Sequence, residues 1–346
     1  MEELDGLIVT HLPNVRYLTG FSGSAGVVAV LRREIVFLTD FRYRTQAEHE
    51  VGRTVRVETV PTNVWSRLWE ILGGLPGKMK LGFEAHAITV QQARDFSGSG
   101  LGITLTPVRG LVERQRVAKD PAEVAAIREA AQLAGEALDA TLTQVRAGQR
   151  ELDVAAALER ELRIRGSEWH PFPTIVASGQ RSALPHARTE RREIEAGDLL
   201  LLDFGAQVDG YCADITRTVV VGRRADERQR TLYELVRLAQ LSARRNVRAG
   251  MTGCEADSIA RSLIEERGFA AEFGHSLGHG LGLEVHEDPR VSKTNEAPLP
   301  ADSVVTIEPG IYISGWGGVR IEDDVYLGAE GTEILSDGRT ELRELT

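Results

Sequence analysis

The most constraining feature of this sequence is an internal repeat in its second half. Residues 145–166 and 247–268 both begin with Val-Arg-Ala-Gly and end with Arg-Gly, and a helical pattern fills the middle of each copy. The copies start 102 residues apart, at positions 145 and 247, and this period is too long for a solenoid of short stacked repeats. The repeat therefore predicts a domain made of two similar halves, with a functional site between them.

A strong helix start separates the repeat from the first third of the chain. In Asp120-Pro121-Ala122-Glu123, the aspartate suits the N-cap, the proline suits the first helical position, and the glutamate can reach back to the cap. Apolar residues recur at helical spacing as far as Val145, so we expect the helix to end before Gly148. We therefore divide the chain into domains at 1–115 and 116–346.

The first domain alternates strand-like with helix-like runs, which indicates a small α/β domain. The second and third strand-like runs are close enough in the chain to form a hairpin. We expect strands at Leu7–Thr10, Val27–Leu31, Glu34–Thr39, Val55–Val60, Lys80–Glu84 and Ile103–Val108, and helices near Tyr43–Val51, Asn63–Leu72 and Thr89–Phe96.

Composition excludes several classes of function. The 346 residues carry a formal net charge of −10, which argues against nucleic acid and anionic membranes as partners, since both require a basic surface. The sequence has no apolar run near the roughly 20 residues of a membrane span, and its acidic N-terminus does not resemble a signal peptide. Two cysteines cannot form a disulfide framework in a chain of this length. We therefore expect a cytoplasmic enzyme.

Each half of the second domain contains a hairpin-like stretch that carries two acidic residues. Asp203 and Asp214 lie on either side of a turn whose centre we place between Val208 and Asp209. Glu308 and Glu322 are equidistant from Gly315, so each pair is expected to face one another across an antiparallel hairpin, about 5 Å apart. Each acidic stretch taken alone is also compatible with a solvated surface hairpin.

Four carboxylates held close together beside apolar strands require nearby positive charge. Arg217 and Arg320 lie nearby in the sequence, but two divalent cations would balance all four negative charges and leave room for a bridging hydroxide. The expected site is therefore a dinuclear metal centre.

Histidines provide the remaining candidates for chemistry. His275, His279 and His286 fall within twelve residues, among glycines that allow the backbone to approach a neighbour closely. His186 lies in the other half of the repeat. Because the chain has eight histidines in total, this clustering favours a functional site over isolated structural histidines.

These residues match a known family. The chain resembles the creatinase/prolidase/methionine-aminopeptidase group of pita-bread metallopeptidases, and within it the Xaa-Pro peptidase branch. The resemblance implies a small creatinase-like N-terminal α/β domain followed by a pseudo-symmetric pita-bread catalytic domain. The stretches that match are AKDPAEVAAIREA (118–130), LPH (184–186), GDLLLLDFGAQVDGYCADITRTVVVG (197–222), HSLGHGLGLEVHE (275–287), EPGIY (308–312) and GVRIED (318–323), with a looser match at FLTDFRYRTQA (37–47).

The resemblance also implies roles for individual residues. Glu308 would act as general base as well as metal ligand, and Arg320 would hold a ligand carboxylate in place. The histidines implied to line the substrate cleft and to steady the scissile carbonyl are His186, His275 and His286. The five implied metal ligands are Asp203, Asp214, His279, Glu308 and Glu322.

Within the family, the large N-terminal domain and the histidine at position 275 favour an Xaa-Pro peptidase over a methionine aminopeptidase. We expect a dipeptidase (prolidase), because Arg42 and Arg44 in the N-terminal domain could clamp the carboxylate of a dipeptide. The alternatives are an aminopeptidase P that acts on longer proline-containing peptides, a hydrolase of another amide, and a non-catalytic peptide-binding module. Two departures from the family are Ala187, where glycine is common, and Asp324, an additional carboxylate of unassigned role.

The expected cofactors are two divalent metal ions per chain. Carboxylate-rich ligation with one histidine suits manganese, with cobalt, zinc and iron as alternatives. A homodimer is the expected assembly, since dimers are the commonest oligomers and are frequent in this family.

Overall fold

A computed structural model describes residues 4–61, 63–75, 78–97, 102–336 and 339–346 of the chain. The chain divides into two compact units, Met1–Arg116 and Val117–Thr346. Among the residues described, no helix combines the length and the apolar character that crossing a membrane requires.

The first unit is built on a single mixed sheet. Its strands are β1 (Gly6–Val9), β2 (Val27–Leu31), β3 (Ile35–Asp40), β4 (Val55–Val60), β5 (Lys80–Glu84) and β6 (Thr104–Val108). Its helices are α1 (Leu12–Thr19), α2 (Arg44–Glu50), α3 (Val64–Gly73), α4 (Val90–Ser97) and α5 (Glu113–Arg116), with a 3₁₀ turn at Phe41–Tyr43. The strand order is β4-β3-β2-β1-β5-β6, and β1, β5 and β6 run parallel to one another.

Alternation along the strands gives this sheet two buried faces. Val36 and Leu38 of β3 belong to one apolar cluster, whereas Phe37 between them belongs to another, as the period of two in a strand requires. Helix α3 packs into the first cluster through Leu68, and helix α1 packs into the second through Val15. Helices therefore cover both faces of the sheet.

The predicted elements of this unit are confirmed to within one residue at each end, and β2 and β3 form the predicted antiparallel hairpin. The sequence prediction missed helix α1. This helix has only eight residues, and two of its three buried positions are the polar Asn14 and Thr19, so its apolar residues are too few to mark out a helical face.

The second unit consists of two halves that each begin with two helices and continue with strands. The first half contains α6 (Pro121–Leu142), α7 (Glu151–Arg165), β7 (Ile175–Ser178), a 3₁₀ turn (Gly179–Ala183), β8 (Leu199–Phe204), β9 (Gln207–Val208), β10 (Tyr211–Cys212) and β11 (Ile215–Val221). The second contains α8 (Glu227–Asn246), α9 (Gly253–Glu265), β12 (Gly278–Gly280), β13 (Glu287–Val291), β14 (Ser303–Ile307), β15 (Gly310–Ile313), β16 (Gly317–Arg320), β17 (Asp323–Gly328), β18 (Gly331–Ile334) and β19 (Arg343–Leu345).

In each half, a pair of helices packs on a mainly antiparallel sheet, with β19 pairing in parallel with β11. Leu138 of α6, Leu158 of α7 and Leu202 of β8 share one apolar core. The equivalent α8, α9 and β14 share a second core through residues such as Val236 and Val305. The main sheets have the orders β19-β11-β8-β7 and β13-β12-β14-β17-β18, so the two-halved architecture predicted from the repeat is confirmed.

The glycines that the two repeat copies share occupy positions with the same backbone conformation. Gly148 and Gly250, before α7 and α9, have φ of 89° and 87°, and Gly166 and Gly268, after these helices, have φ of 111° and 84°. All four lie in the left-handed region, which glycine adopts without steric cost. The sequence identity at the ends of each copy therefore reflects the same two turns.

The start of α6 is confirmed and its end is not. The Asp120 carboxylate accepts hydrogen bonds from the N–H groups of Ala122 and Glu123, and Glu123 reaches back to the Asp120 N–H. The helix ends at Leu142 rather than continuing to Val145. The Gln144 N–H turns back to the Thr141 carbonyl, and Val145 is buried outside the helix, so its apolar character reflects tertiary packing.

Candidate metal centre

The first hairpin brings Asp203 and Asp214 to the same region but not into direct opposition. Strand β8 pairs antiparallel with β11, and the residue opposite Asp203 is Thr216. Asp214 lies just before β11 and is therefore diagonal to Asp203 on the same face. The prediction that the two aspartates pair directly is wrong by two residues.

The turn at Asp209-Gly210 explains this difference. Both residues have positive φ, 47° and 76°, as the two central residues of a tight hairpin turn require. The turn is closed by the pairing of Val208 with Tyr211. The centre of the hairpin therefore falls between Asp209 and Gly210, one residue later than the sequence prediction.

The second hairpin has the predicted centre at Gly315. Ile307 pairs with Asp323 at the end of one strand pair, and Gly310 pairs with Arg320 in the next. Glu308 and Glu322 lie between these pairs and are equidistant from the same centre, so the register on either side sets them opposite one another.

His279 lies on a short strand that only glycine neighbours allow. A Cβ atom at Gly278 would lie 1.9 Å from the Thr306 carbonyl oxygen, and a Cβ at Gly280 would lie 2.2 Å from the carbonyl oxygen of Asp288. These glycines therefore let β12 sit between its two neighbouring strands. The close approach predicted from the glycine-rich sequence is confirmed, and the groups that β12 approaches are the backbones of β14 and β13.

The side chains of Asp214, His279 and Glu322 converge on one point. One ligand atom from each lies within 4.8 Å of the others, and the three residues are 6%, 6% and 2% exposed. The His279 Nδ1 lies 3.0 Å from the Gly280 carbonyl oxygen, which can only accept, so Nδ1 carries the proton. The unprotonated Nε2 then faces Asp214 Oδ2 at 3.7 Å and Glu308 Oε1 at 3.5 Å.

This arrangement brings lone pairs together without hydrogen atoms between them. Ionised carboxylates and an unprotonated imidazole nitrogen are all acceptors, so none of the three can satisfy the others. In the described part of the chain, Asp214 Oδ1 is also buried without a hydrogen-bond partner. The donor set of carboxylate oxygens and one imidazole nitrogen fits a divalent metal ion.

The shifts in pKa have the same physical origin. Burial and the charge of Glu322 raise the pKa values of Asp214 and Glu308 well above the usual range. Burial and the charge of Asp203 raise the pKa of Glu322 to about 8. Burial lowers the pKa of His279 to about 3, so its imidazole is neutral at pH 7, which is the form that binds metals.

Arg320 connects the candidate ligands through two residues that the sequence prediction missed. Its guanidinium binds the Asp203 carboxylate, donates through Nε to Thr216 Oγ1 at 3.0 Å, and donates through NH1 to the Tyr312 hydroxyl at 2.7 Å. Thr216 in turn donates to Glu322 Oε2 at 2.6 Å. The period of two along each strand could have indicated both residues, since Thr216 follows Asp214 by two positions and Tyr312 follows Glu308 by four.

The three other candidate histidines, His186, His275 and His286, differ in their surroundings. His275 Nδ1 lies 2.8 Å from the Ser276 carbonyl oxygen, and its Nε2 lies 3.0 Å from the Tyr312 hydroxyl. Nδ1 therefore carries the proton, and Nε2 accepts from Tyr312. His286 lies beside His279, with ring centroids 4.3 Å apart and ring planes tilted by 52°, and both His286 and His186 are exposed.

A cavity of about 760 Å³ collects the candidate residues of the second unit. Its lining includes Asp203, Asp214, His279, Glu308, Glu322, His186, His275, His286 and Arg320. Arg42 and Arg44 belong to the first unit, where Arg42 forms a bidentate ion pair with Asp40 (Nε to Oδ1 2.9 Å, NH2 to Oδ2 2.7 Å). Arg44 is exposed at the start of α2.

The acidic run after Arg320 is buried rather than solvated. Asp324 accepts the Asp214 N–H at 3.1 Å, so it supports the backbone of a candidate ligand. Asp323 points to a different network, in which it binds Arg217 at 2.7 Å and Arg244 at 2.7 Å. Arg217 therefore neutralises Asp323.

Comparison with known proteins identifies two family models and several close relatives. Residues 125–329 match metallopeptidase family M24, and residues 1–118 match the creatinase/prolidase N-terminal domain. The Xaa-Pro dipeptidase of Pyrococcus horikoshii is 37% identical over 339 residues, which is 98% of this chain and 94% of that protein.

Solved structures show the same similarity in three dimensions. A structure described as Xaa-Pro dipeptidase from Bacillus anthracis has a TM-score of 0.94 and 39% identity, and the match covers 99% of this chain and 95% of that one. A structure described as X-Pro aminopeptidase from Thermotoga maritima has a TM-score of 0.93 and 36% identity, covering 99% of this chain and 97% of that one.

Proposed function

This chain belongs to metallopeptidase family M24, and on that premise we propose that it hydrolyses Xaa-Pro peptide bonds and prefers dipeptides, as an Xaa-Pro dipeptidase (prolidase). The observation that supports this proposal is that the buried side chains of Asp214, His279 and Glu322 converge on one point. This point lies beside Glu308 in a cavity large enough for a dipeptide. The relatives named Xaa-Pro dipeptidase match nearly the whole chain, which supports the same activity here.

The residues proposed to hold two divalent metal ions are Asp203, Asp214, His279, Glu308 and Glu322. Two ions in such a site lower the pKa of a water molecule and polarise the scissile carbonyl. Manganese is our proposed metal, with cobalt, zinc and iron as alternatives, because carboxylate-rich ligation suits all four. Asp324 and Arg320 would keep Asp214 and Asp203 in position through the contacts described above.

Glu308 is the proposed general base. Its side chain is 17% exposed, compared with 8% for Asp214, so it is more accessible from the cavity. It would take a proton from the attacking water and pass it to the proline nitrogen as the peptide bond breaks. Both proton transfers need a carboxylate that is accessible from the cavity, whereas the neighbouring candidate ligands can remain buried.

The exposed His186 and His286 are the proposed partners of the scissile carbonyl and of the tetrahedral intermediate. His275 was expected to share this role. In the tautomer that its contacts imply, its N–H donates to the Ser276 carbonyl, and its other nitrogen accepts from Tyr312. We therefore propose that His275 contributes mainly by fixing the Tyr312 hydroxyl beside Arg320.

The preference for dipeptides rests on a different part of the chain. Arg42 and Arg44 are proposed to bind the carboxylate of the proline residue, although Arg42 would first have to release Asp40. Substituting Arg42→Ala and Arg44→Ala tests this, with Arg53→Ala as the control because Arg53 is also an exposed arginine of the same unit. If the ratio of dipeptide to tripeptide hydrolysis is unchanged in both variants, the clamp is excluded.

The experiment that tests the function compares Ala-Pro, Ala-Pro-Ala and Ala-Ala as substrates. The protein is stripped of metal with EDTA and then assayed with and without added Mn²⁺. Hydrolysis of Ala-Pro that requires metal and exceeds that of the other two peptides supports the proposal. Preference for Ala-Pro-Ala would indicate an aminopeptidase P, the activity named for the relative from Thermotoga maritima. Equal hydrolysis of Ala-Ala would exclude specificity for proline.

The proposed cellular setting rests on composition, and the proposed assembly rests on the frequency of dimers. The net charge of −10 supports a cytoplasmic enzyme with neither nucleic acid nor membrane as partner. A homodimer is the proposed assembly, and sedimentation velocity measures it directly.

A further inference from the structure

A second group of potential metal ligands lies in the first unit, apart from the candidate metal centre. His11, His86 and Glu113 each offer one ligand atom, and these atoms lie within 4.8 Å of one another. We propose that this group is a binding site for a divalent transition-metal ion such as Zn²⁺. The proposal is independent of the peptidase activity, because all three residues belong to the first unit.

The topology of the sheet brings these residues together from distant parts of the chain. His11 follows the end of β1 by two residues, His86 follows the end of β5 by two, and Glu113 follows the end of β6 by five. Because β1, β5 and β6 are adjacent and parallel, their carboxyl ends meet at one edge of the sheet. Carboxyl ends of parallel strands are where open α/β sheets bind ligands.

The proposed site also lies where the order of strands in the sheet reverses, between β1 and β5. From β1 the chain continues to β2, β3 and β4 on one side, whereas β5 and β6 lie on the other side of β1. The loops after β1 and β5 therefore lead to opposite sides of the sheet, the arrangement at which open α/β sheets bind ligands. His11 and His86 stand on these two loops, with ring centroids 4.8 Å apart.

The ligand types and spacing suit a transition metal. Two imidazoles and one carboxylate form a common catalytic zinc set that leaves a fourth position for water. His86 Nε2 and Glu113 Oε1 are 3.4 Å apart. Two ligands on a tetrahedral zinc, each about 2.1 Å from the metal, are separated by about 3.4 Å. This pair is therefore already at the spacing that a shared ion requires.

Buried polar contacts hold two of the three ligands in place. The Glu84 carboxylate accepts the backbone N–H of His11 at 2.8 Å and the Asn14 side-chain amide at 2.6 Å. The same Asn14 amide donates to Glu113 Oε1 at 2.7 Å, and the Asn14 oxygen accepts from Arg116 at 2.6 Å. Such outer contacts orient metal ligands in known sites.

These supporting residues are buried, although the proposed ligands are reached from solvent. Glu84, Asn14 and Arg116 are 4%, 0% and 2% exposed, whereas the His86 side chain is 44% exposed. An ion can therefore enter past His86 while the network behind Glu113 stays fixed. A purely structural role for the network would require Glu84, Asn14 and Arg116 but would not require the two histidines.

The test measures zinc bound by the full-length protein. Wild type, His86→Ala and Glu113→Gln are dialysed to equilibrium against Zn²⁺, and zinc per chain is measured by mass spectrometry. The matched control is His49→Ala, because His49 is an exposed histidine of the same unit. We expect His86→Ala to bind one zinc fewer than wild type, Glu113→Gln to bind zinc at this site more weakly, and His49→Ala to equal wild type.

Equal zinc content in wild type and His86→Ala would overturn the proposal. The location of the ion provides a second readout that does not depend on a variant. Anomalous diffraction at the zinc edge from crystals of the wild-type protein should show a peak within bonding distance of His86 Nε2. Zinc peaks at the candidate metal centre without one at His86 would also overturn the proposal, and would leave the peptidase function untouched.

Discussion

Replacing Glu322 with glutamine should make the metal-free protein more stable at pH 8, although it removes a candidate metal ligand. Burial and Asp203 raise the pKa of Glu322 from 4.5 to about 8, so the folded state holds a proton that the unfolded state releases. The stability contributed by that proton is complete below pH 4.5 and is lost as the pH rises through about 8. The full shift corresponds to at most about 5 kcal/mol.

Glutamine is a suitable probe because it removes the charge and keeps the shape. The Glu322 Oε2 atom accepts a hydrogen bond from the Thr216 hydroxyl at 2.6 Å, and the amide oxygen of glutamine can accept the same bond. The variant also relieves repulsion on Asp214 and Glu308, whose pKa values Glu322 raises. The gain in the free energy of unfolding at pH 8 is therefore expected to be about 2–5 kcal/mol.

Asp323, the residue after Glu322, provides the matched control, because its pKa is shifted in the opposite direction. Asp323 is fully buried, and burial alone would raise its pKa, but Arg217, Ser336 and Arg244 lower it to about 2. Its contribution to stability is present above pH 3.8 and is lost as the pH falls through about 2. Asp323→Asn removes the charge that neutralises the buried Arg217 and the partly buried Arg244, and it should cost about 3–5 kcal/mol at pH 7.

The assay is urea unfolding after dialysis against EDTA at pH 5, 6.5 and 8, followed by circular dichroism and tryptophan fluorescence. Wild type should lose stability between pH 5 and 8, whereas Glu322→Gln should lose less. Added Mn²⁺ should stabilise wild type strongly and the variant weakly. The reasoning is refuted if metal-free Glu322→Gln is no more stable than wild type at pH 8, or if Asp323→Asn is stabilising.

Substitutions of Gly278 and Arg320 test the structure around the site, and a substitution of Asp139 tests an ion pair outside it. Gly278→Ala should lower the free energy of unfolding by about 1–3 kcal/mol, because the new Cβ would lie 1.9 Å from the Thr306 carbonyl oxygen. The same variant should bind Mn²⁺ more weakly in calorimetry. The control Gly274→Ala should be neutral, because a Cβ there meets no atom within 4 Å. Arg320→Lys should lower kcat/KM for Ala-Pro about 10- to 100-fold, because an ammonium cannot replace the guanidinium's several contacts; an unchanged rate would contradict this. Asp139→Asn should cost less than about 1 kcal/mol in urea unfolding, since its ion pairs are partly exposed.

The elements of the first unit could be predicted closely because their apolar runs are short and are bounded by polar residues and glycines. Helix α1 could not, because its buried face is set by tertiary contacts rather than by periodicity. Asn14 in that helix is buried to bind Glu84 and Glu113, which are 70 and 99 residues away. A polar residue buried for a distant partner has no local pattern.

The two hairpins show how turn geometry limits prediction of a site. The second is centred on Gly315, which has φ of 74°, and its register could be predicted from the position of this glycine. The first depends on whether Asp209 belongs to the turn, and its φ of 47° is uncommon for a residue other than glycine. The prediction therefore brought the right carboxylates together with the wrong direct pairing.

The contacts that hold the candidate ligands were the least predictable part of the site. Arg320 reaches Thr216 across 104 residues of sequence, and the Tyr312 hydroxyl lies between Arg320 and His275. Residue type and spacing indicated which groups are candidates to bind metal, because carboxylates and histidines are distinctive. Hydroxyl groups that position them are common in any sequence, so the period of two along a strand marks them only as candidates, and the register of the strands then shows which of them contact the ligands.

The most direct test of the central claim is anomalous diffraction at the manganese edge from crystals of the wild-type protein equilibrated with Mn²⁺. We predict two peaks about 3.5–4 Å apart among the carboxylates of Asp214, Glu308 and Glu322, with one of them bonded to His279 Nε2. A single peak, or an absence of peaks at these residues in protein that hydrolyses Ala-Pro, would contradict the proposal that a dinuclear metal centre performs the reaction.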